Sequence, residues 1–561
     1  MKWIKRNPSL SSIAGVVQGN VGMRLDTFLH PDPHPHLEGL SGAVQLVRGF
    51  ILEHPKSGII YIVGDYDADG VTSSAILSLA LRHCGALPSV HIPRRFSDGY
   101  GISMGIVDHI LQLAGSKPVL VITVDNGISA STQIGRLVSA GLDVVVLDHH
   151  LLPEGGSLPP GSAIVDPAAL PGSCFTSYCG AGLALRFSEE LLAVCGVDDP
   201  SLLQGLYALA AVGTVADVMP LTGANRYIVQ RGLDTVSHRE VTSGFRALLD
   251  ALGLESVQAD DFGFQVGPCI NASGRLYDDG GDFAYRLLSL EEGSSPFLGH
   301  GTSTTAAQMA SILVQRNQER QDLTRAQLAA VEAVISSECL AGTNPLVVYH
   351  PGLHEGIVGI LAGSLAEKYH VPVLVFTDGS MAGTAKGSGR SYGGIHLKHL
   401  LDTVSGLFLQ YGGHAGAAGM SIRVEQIHEL RDALSGAVPQ MGPGGQMCYD
   451  LEIDAPLVPA ASLALEPYAP YGEGNPAPVF YIRDFPVDSV QILGHGGQHV
   501  KWSGSYGEAL GFGLVTRWES SGITVPSCLD ILGRISRRMF RGVVRVQVEV
   551  VDFKKGGPKH G

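Results

Sequence analysis

The sequence predicts an α/β protein assembled in parts: a doubly wound parallel-sheet domain, a long connecting helix, a second α/β domain and a carboxy-terminal β domain of barrel type. Three observations predict this. From residue 58, short apolar runs alternate with amphipathic stretches (GIIYIVG, TSSAILSLALRHCG, PVLVITVDNG, TQIGRLVSAG, LDVVVLDHH), the signature of strands and helices in alternation. Residues Thr304 to Glu338 contain neither Gly nor Pro, and Met309, Ile312, Leu313, Leu323, Leu328, Val331 and Ile335 recur at helical spacing. Beyond a Gly- and Pro-rich stretch at 438–446, the runs VFYIRDF, VKWSGS, DILGRIS and VVRVQVEVVDF alternate as short strands do.

The remaining segments fill this frame. LLQGLYALAAVGTVADVMPL reads as a helix whose carboxyl end runs into Gly213 and a loop. PLVVYH and PVLVF read as strands of the second α/β region, with HEGIVGILAGSLAEKY as the helix between them. A chain of 561 residues, 45% hydrophobic, has room for about two to four domains. It contains no apolar run of about 18 residues, and its first residues, MKWIKRNPSL, lack the apolar stretch of a secretory signal. A soluble, cytoplasmic protein without membrane contact is expected. The eight cysteines are scattered without a CxxC pair and read as reduced thiols, mostly buried. A net charge of −15 counts against nonspecific attraction to a polyanion, although a local groove of Arg and Lys can still be positive.

Chemistry concentrates at strand ends. The first apolar strand runs into Asp65-Tyr66-Asp67-Ala68-Asp69-Gly70, and the next two into Asp125-Asn126-Gly127 and Asp148-His149-His150. In open α/β sheets ligands gather at the carboxyl ends of the strands, so three strands point carboxylates or imidazoles at one edge. Asp217, after Gly213 to Ala216, enters from the helix side. A single Asp after a strand is more often a helix cap or turn former. Three such motifs in order, each after an apolar strand, leave little room for a purely structural origin. So many carboxylates in one crevice repel one another unless cations intervene, and carboxylates with imidazole suit Mn²⁺ or Mg²⁺ in a two-metal site with ions about 3.5–4 Å apart.

These four segments resemble the signature motifs of the DHH phosphoesterases. Further segments, PRRFSDGYG (93–101), GPCINASGR (267–275), HEGIVGILAG (354–363), KGSGRS (386–391), YGGHAGAAG (411–419) and PYGEGNPAPVF (470–480), narrow the resemblance to RecJ-type exonucleases, over about residues 22 to 553. The resemblance implies a DHH catalytic domain with an amino-terminal extension (1–300), a connecting helix (301–338), a DHHA1 domain closing over the cleft (339–440) and an OB-like domain (447–556). It implies that Asp67, Asp69, Asp125, His149 and Asp217 hold two divalent ions, Mn²⁺ or Mg²⁺, with Asp125 bridging and Asp65 and His150 close by. The activity implied is 5′→3′ hydrolysis of single-stranded DNA to 5′-mononucleotides in recombination and repair, beside single-strand binding protein and a RecQ-type helicase. Two positions depart from the family pattern: Val63, where some superfamily members carry His, and Cys269, where RecJ proteins commonly carry Arg.

Substrate-holding residues follow from composition and resemblance together. Lys386, Ser388 and Arg390 lie in a Gly-rich stretch read as a loop after PVLVF, where backbone amides can approach a phosphate. The resemblance makes Ser388 and Arg390, with Arg95, the pocket for the 5′ phosphate. His414, Asn271 and Arg275 are expected at the DNA backbone. In the carboxy-terminal domain Lys501, Trp502, Arg517, Trp518, Arg534, Arg537, Arg538 and Arg541 supply cations and aromatic faces of the kind that single-strand binding uses. Two other functions compete: a phosphodiesterase for short oligonucleotides or cyclic dinucleotides, and a catalytically inactive DNA-binding scaffold. The third domain disfavours the first and the intact acidic motifs the second.

Overall fold

The computed structural model describes residues 2–55, 57–152, 155–293, 297–298, 302–438, 446–494, 496–540 and 543–557. The chain forms two compact units, one from Met1–Val314 with Gln446–Gly561, the other from Gln315–Gly445.

The first unit is built on a five-stranded parallel sheet with the order Pro88–His91, Ile59–Val63, Val119–Val124, Asp143–Leu147, Ala163–Val165. Counted along the chain this is 2-1-3-4-5, so the strand order reverses between Ile59–Val63 and Val119–Val124, where doubly wound sheets hold ligands. Both faces are covered, which is why these strands are apolar throughout. Ile60, Ile62, Leu120 and Ile122 enter one core; Tyr61, Val63, Val119 and Val121 enter the other.

Helix Ala68–His83, which follows the first strand, is buried from Ala68 to Leu81. A helix enclosed on all sides must satisfy its polar groups internally. Thr72, Ser73 and Ser74 do so by donating to the carbonyls of Ala68, Asp69 and Gly70 at 2.7, 2.6 and 2.8 Å. Helix Pro200–Ala216 runs through Gly213 and ends at Asp217, so the break expected at Gly213 is absent.

The carboxy-terminal part of this unit is a seven-stranded sheet in the order Leu451–Asp454, Val479–Val487, Ser527–Phe540, Val543–Lys555, Gly507–Gly511, His499–Gly504, Ser489–Leu493. Trp502, Phe480, Phe485 and Phe553 fill its core. It is joined to the parallel-sheet part by buried Arg226, which donates to the carbonyls of Tyr468 and Pro467 at 3.0 and 3.1 Å and lies over the Phe28 ring. The amino-terminal strand Lys2–Lys5 pairs in parallel with Gln446–Tyr449.

The second unit has a five-stranded sheet in the order Phe408–Gly413, Ala417–Arg423, Thr384–Arg390, Val373–Asp378, Leu346–Tyr349. Helix Val358–Tyr369 covers one face, and Leu397–Asp402 with Ile427–Leu434 the other. The long helix is Ala306–Ser337. Lys386 to Arg390, read above as a loop, form a strand between two others. The cysteines are all free, but only Cys179 and Cys269 are buried, against the expectation that most would be. Most of the 438–446 stretch lies outside the described residues. Among the described residues no helix is long and apolar enough to cross a membrane.

Candidate metal centre

Each acidic motif is delivered by a strand or helix end. Asp65 follows strand Ile59–Val63 by two residues and is buried, with Oδ1 lacking a hydrogen-bond partner. Asp67 caps helix Ala68–His83, its Oδ1 accepting from Asp69 N and Gly70 N at 3.0 and 3.1 Å. The capping role thus coexists with a place in one of the sets that could hold a metal ion. Asp69 is gripped by the start of helix Gly180–Cys195, accepting from Gly180 N at 2.6 Å and Ala181 N at 2.8 Å. Any side chain at Gly180 would set a Cβ 2.6 Å from the Asp125 Cβ, so only glycine permits this approach. Asp125 turns out of its strand with φ 60° and is buried.

His149 Nε2 lies 3.0 Å from Asp125 Oδ1, 3.7 Å from Asp69 Oδ2 and 3.8 Å from Asp217 Oδ2, at the middle of the cluster. His150 Nδ1 donates to Asp148 Oδ1 at 2.7 Å, and Asp148 also accepts from Ile128 N at 2.8 Å. Tyr100 donates to the Asp125 carbonyl at 3.2 Å and lies 3.4 Å from His150 Nε2. The sequence marked Asp148 only as part of its motif and Tyr100 only as part of PRRFSDGYG, and nothing in it marked the amides of Gly180 and Ala181, which converge from residues distant along the chain.

The electrostatics describe a site short of positive charge. Burial, then the neighbouring Asp67, raises Asp65 well above the usual carboxylate range. Burial and the Asp69 charge do the same to Asp125, and they push Asp217 up to about 8. Burial opposes ionisation of Asp148, but its bond to His150 outweighs that and holds it low. The same pair lifts His150 to about 9 against its own burial. Three ligand sets fall within 4.8 Å: Asp125, His149 and His150; Asp69, His149 and Asp217; Asp65, Asp67 and Asp125. Two buried carboxylate oxygens without a hydrogen-bond partner, Asp65 Oδ1 and Asp217 Oδ2, belong to these sets. Hard oxygen donors with one or two imidazoles fit Mn²⁺ or Mg²⁺, and asparagine-like neutral groups would not generate this stress.

Around this cluster, Arg95 lies 4.9 Å from the centre of the Tyr66 ring and its charge reaches Asp65. The Arg275 charge reaches Asp67. The carboxamide oxygen of Asn271 accepts from Ala68 N at 2.8 Å, so part of this side chain holds the segment that carries Asp67 and Asp69. Val63 and Cys269, the two departures from the family pattern, are core residues.

In the second unit, Arg390 Nη1 donates to Ser388 Oγ at 3.0 Å, and burial lowers the Arg390 pKa. Lys386 pairs with Glu355 at 2.9 Å. His414 is exposed in the turn after strand Phe408–Gly413, its Nδ1 accepting from Gly416 N at 3.2 Å.

The carboxy-terminal residues expected to face DNA behave differently. Trp502 is fully buried and packs against Trp518 and Phe553. Arg534 pairs with Glu549 at 3.3 Å, Arg538 with Asp261 at 3.1 Å and Lys501 with Glu508 at 3.4 Å. Arg517 pairs with Asp552 and Arg537 with Glu466. Arg541 lies outside the described residues. The basic cluster seen in the sequence is thus balanced by carboxylates from other segments.

Comparison with known proteins agrees with this architecture. Residues 59–214 match the DHH family, N-terminal domain, residues 342–439 the DHHA1 domain and residues 450–552 the RecJ OB domain. The chain is 35% identical to the single-stranded-DNA-specific exonuclease RecJ of Dickeya dadantii over 491 residues, covering 83% of this chain and 81% of that one. It is 32% identical to the RecJ of Salmonella typhimurium over 558 residues, covering 93% and 91%. The crystal structure of RecJ in complex with Mn²⁺ from Thermus thermophilus superposes with a TM-score of 0.75 at 27% identity, covering all of this chain and 80% of that one. With three matched domains in family order and an acidic cluster at the switch point of its parallel sheet, this chain belongs to the RecJ family of DHH exonucleases.

Proposed function

We propose that this protein is a metal-dependent exonuclease that hydrolyses single-stranded DNA from its 5′ end to 5′-mononucleotides, in recombination and repair in the cytoplasm. The observation that carries this reading is the convergence of Asp69, His149 and Asp217 with Asp65, Asp67 and Asp125 around a space short of positive charge, in a chain of this family. Asp67, Asp69, Asp125, His149 and Asp217 hold two divalent ions, with Asp65 beside them. The ions supply Lewis acidity toward water and neutralise charge on the phosphoryl oxygens.

The remaining work falls to protein groups. Asp148 fixes the His150 ring through Nδ1, leaving Nε2 to donate to a phosphate oxygen. Arg95 and Arg275 offset the phosphate charge that would otherwise be repelled by the carboxylates. Asn271, Lys386 and His414 contact the strand's backbone, and Ser388 with Arg390 receives a terminal phosphate. Single-strand binding protein and a RecQ-type helicase are the partners this activity would use.

The test is degradation of 5′-labelled and 3′-labelled single-stranded DNA, beside its duplex and an RNA of equal sequence, with Mn²⁺ or Mg²⁺. Early release of the 5′ label as mononucleotide from single-stranded DNA alone, lost in Asp125→Ala, is expected. Activity confined to dinucleotides would assign the protein to the oligonucleotide phosphodiesterases, and binding without cleavage would make it a scaffold.

A further inference from the structure

The segment before Asn271 and Arg275 is a single π-helical turn, Phe262–Val266. Such turns are costly irregularities and cluster at functional sites. Its two ends, Phe262 and Val266, are buried, while Phe264 between them is 80% exposed. Among the described residues Phe264 takes part in no ring or cation contact, so its face is open.

The turn packs against the end of helix Pro200–Ala216, which carries Asp217 into the metal centre. A methyl placed on Gly263 would lie 3.4 Å from Val215 Cγ1, and one on Gly267 would lie 3.0 Å from Ala216 Cβ. Val215 and Ala216 are the two residues before the ligand Asp217. After Asp217 comes Val218, at φ 57° and 66% exposed. A β-branched residue is strained at that backbone angle, which glycine would adopt freely. The turn therefore does not explain the Val218 side chain. On its other side the π turn is anchored by Asp261, which accepts from Gln265 at 2.6 Å and pairs with Arg538 of the seven-stranded sheet. An exposed aromatic ring is thus carried on a turn packed against the two residues before Asp217, and an exposed aliphatic side chain follows Asp217 in the chain.

Resting on the function proposed above, we propose that Phe264 is the step on which a base of the single strand stacks while its phosphate lies at the metal centre. Aromatic stacking is tolerant of sequence, because every base presents a π face. It also requires an unpaired base, so this step would favour single strands over duplex.

The experiment compares wild type, Phe264→Ala and Phe264→Trp on 5′-phosphorylated oligothymidylate, and on strands with one abasic residue at each of the first positions. Phe264→Ala is expected to raise KM about tenfold with little change in kcat, and Phe264→Trp to restore it. At one position the abasic strand should impair wild type by a similar factor and impair Phe264→Ala no further. Unchanged KM in Phe264→Ala, or losses that simply add at every abasic position, would overturn the proposal. Binding of fluorescent oligothymidylate to the metal-free proteins separates this inference from the function it rests on. Absence of cleavage by wild type defeats only the latter, whereas equal binding by wild type and Phe264→Ala defeats the stacking step. Because Phe264 is exposed, thermal melts of the variants should match wild type.

Discussion

The metal centre and the arginine-rich edge of the carboxy-terminal sheet are both crowded with charge, and they resolve it in opposite ways. Around His149, carboxylates from three segments face one another, and Asp65 Oδ1 and Asp217 Oδ2 accept no hydrogen bond. On the sheet, Arg534, Arg537 and Arg538 each meet a carboxylate of the same chain. Charge that the fold leaves unmatched points to something from outside, here cations; charge that the fold matches points to structure. Residue type alone does not separate the two regions, since the sequence offered both as candidate functional sites.

The sharpest way to break this contrast is Asp125→Ala. Loss of exonuclease activity by at least about a thousandfold is expected, because this carboxylate belongs to two of the three ligand sets. In metal-free buffer the same variant should melt at a higher temperature than wild type, since it relieves repulsion among buried acids. A lower melting temperature would mean that the cluster is matched after all.

Asp148→Asn comes next, with activity reduced by roughly 10- to 100-fold from loss of the anchor on His150. Steady-state rates at saturating Mn²⁺ measure it; an unchanged rate would remove His150 orientation from the mechanism.

A pH titration sharpens the same point. Asp217 rises from its ordinary 3.8 to about 8, and Asp65, Asp67 and Asp125 move the same way. An acid whose pKa is raised by folding contributes its stability below the unfolded value and loses it as pH climbs through the folded one. Metal-free protein should therefore melt at progressively lower temperature between roughly pH 5 and roughly pH 8, and Mn²⁺ should flatten the trend. Calorimetry with and without chelator checks this, and a metal-free melting temperature independent of pH would contradict it.

The smallest effects belong to the sheet. Arg538→Ala leaves buried Asp261 without its cation and should cost about 1–2 kcal/mol of stability. Arg534→Ala, at an exposed pair, should change stability by less than about 0.5 kcal/mol. Denaturant titrations distinguish the two.

The parallel sheet and its acidic edge were legible in the sequence because each strand is a short apolar run and each functional group follows immediately after it. The same locality failed for Lys386 to Arg390, where alternating glycines suggested a loop. Those glycines lie in a strand because the Phe376 ring covers the sheet there; a Cβ at Gly387 would meet it at 2.4 Å. Trp502 and the arginine cluster were read as a nucleic-acid surface for a related reason. The Arg538 partner, Asp261, lies 277 residues away and the Arg537 partner, Glu466, 71 residues away, and no local pattern records contacts of that kind. Asp148 was visible, but its role as the anchor of His150 needed the bend that turns both back on one carboxylate.

The pairing of Lys2–Lys5 with Gln446–Tyr449 has a consequence for how the protein is made. Arg6 and its partner Asp450 are separated by 444 residues, so the strand Lys2–Lys5 waits for that length of chain to be synthesised before it finds its neighbour. At ordinary rates of synthesis that wait is roughly 20–90 s, during which an exposed strand edge is available to other nascent chains.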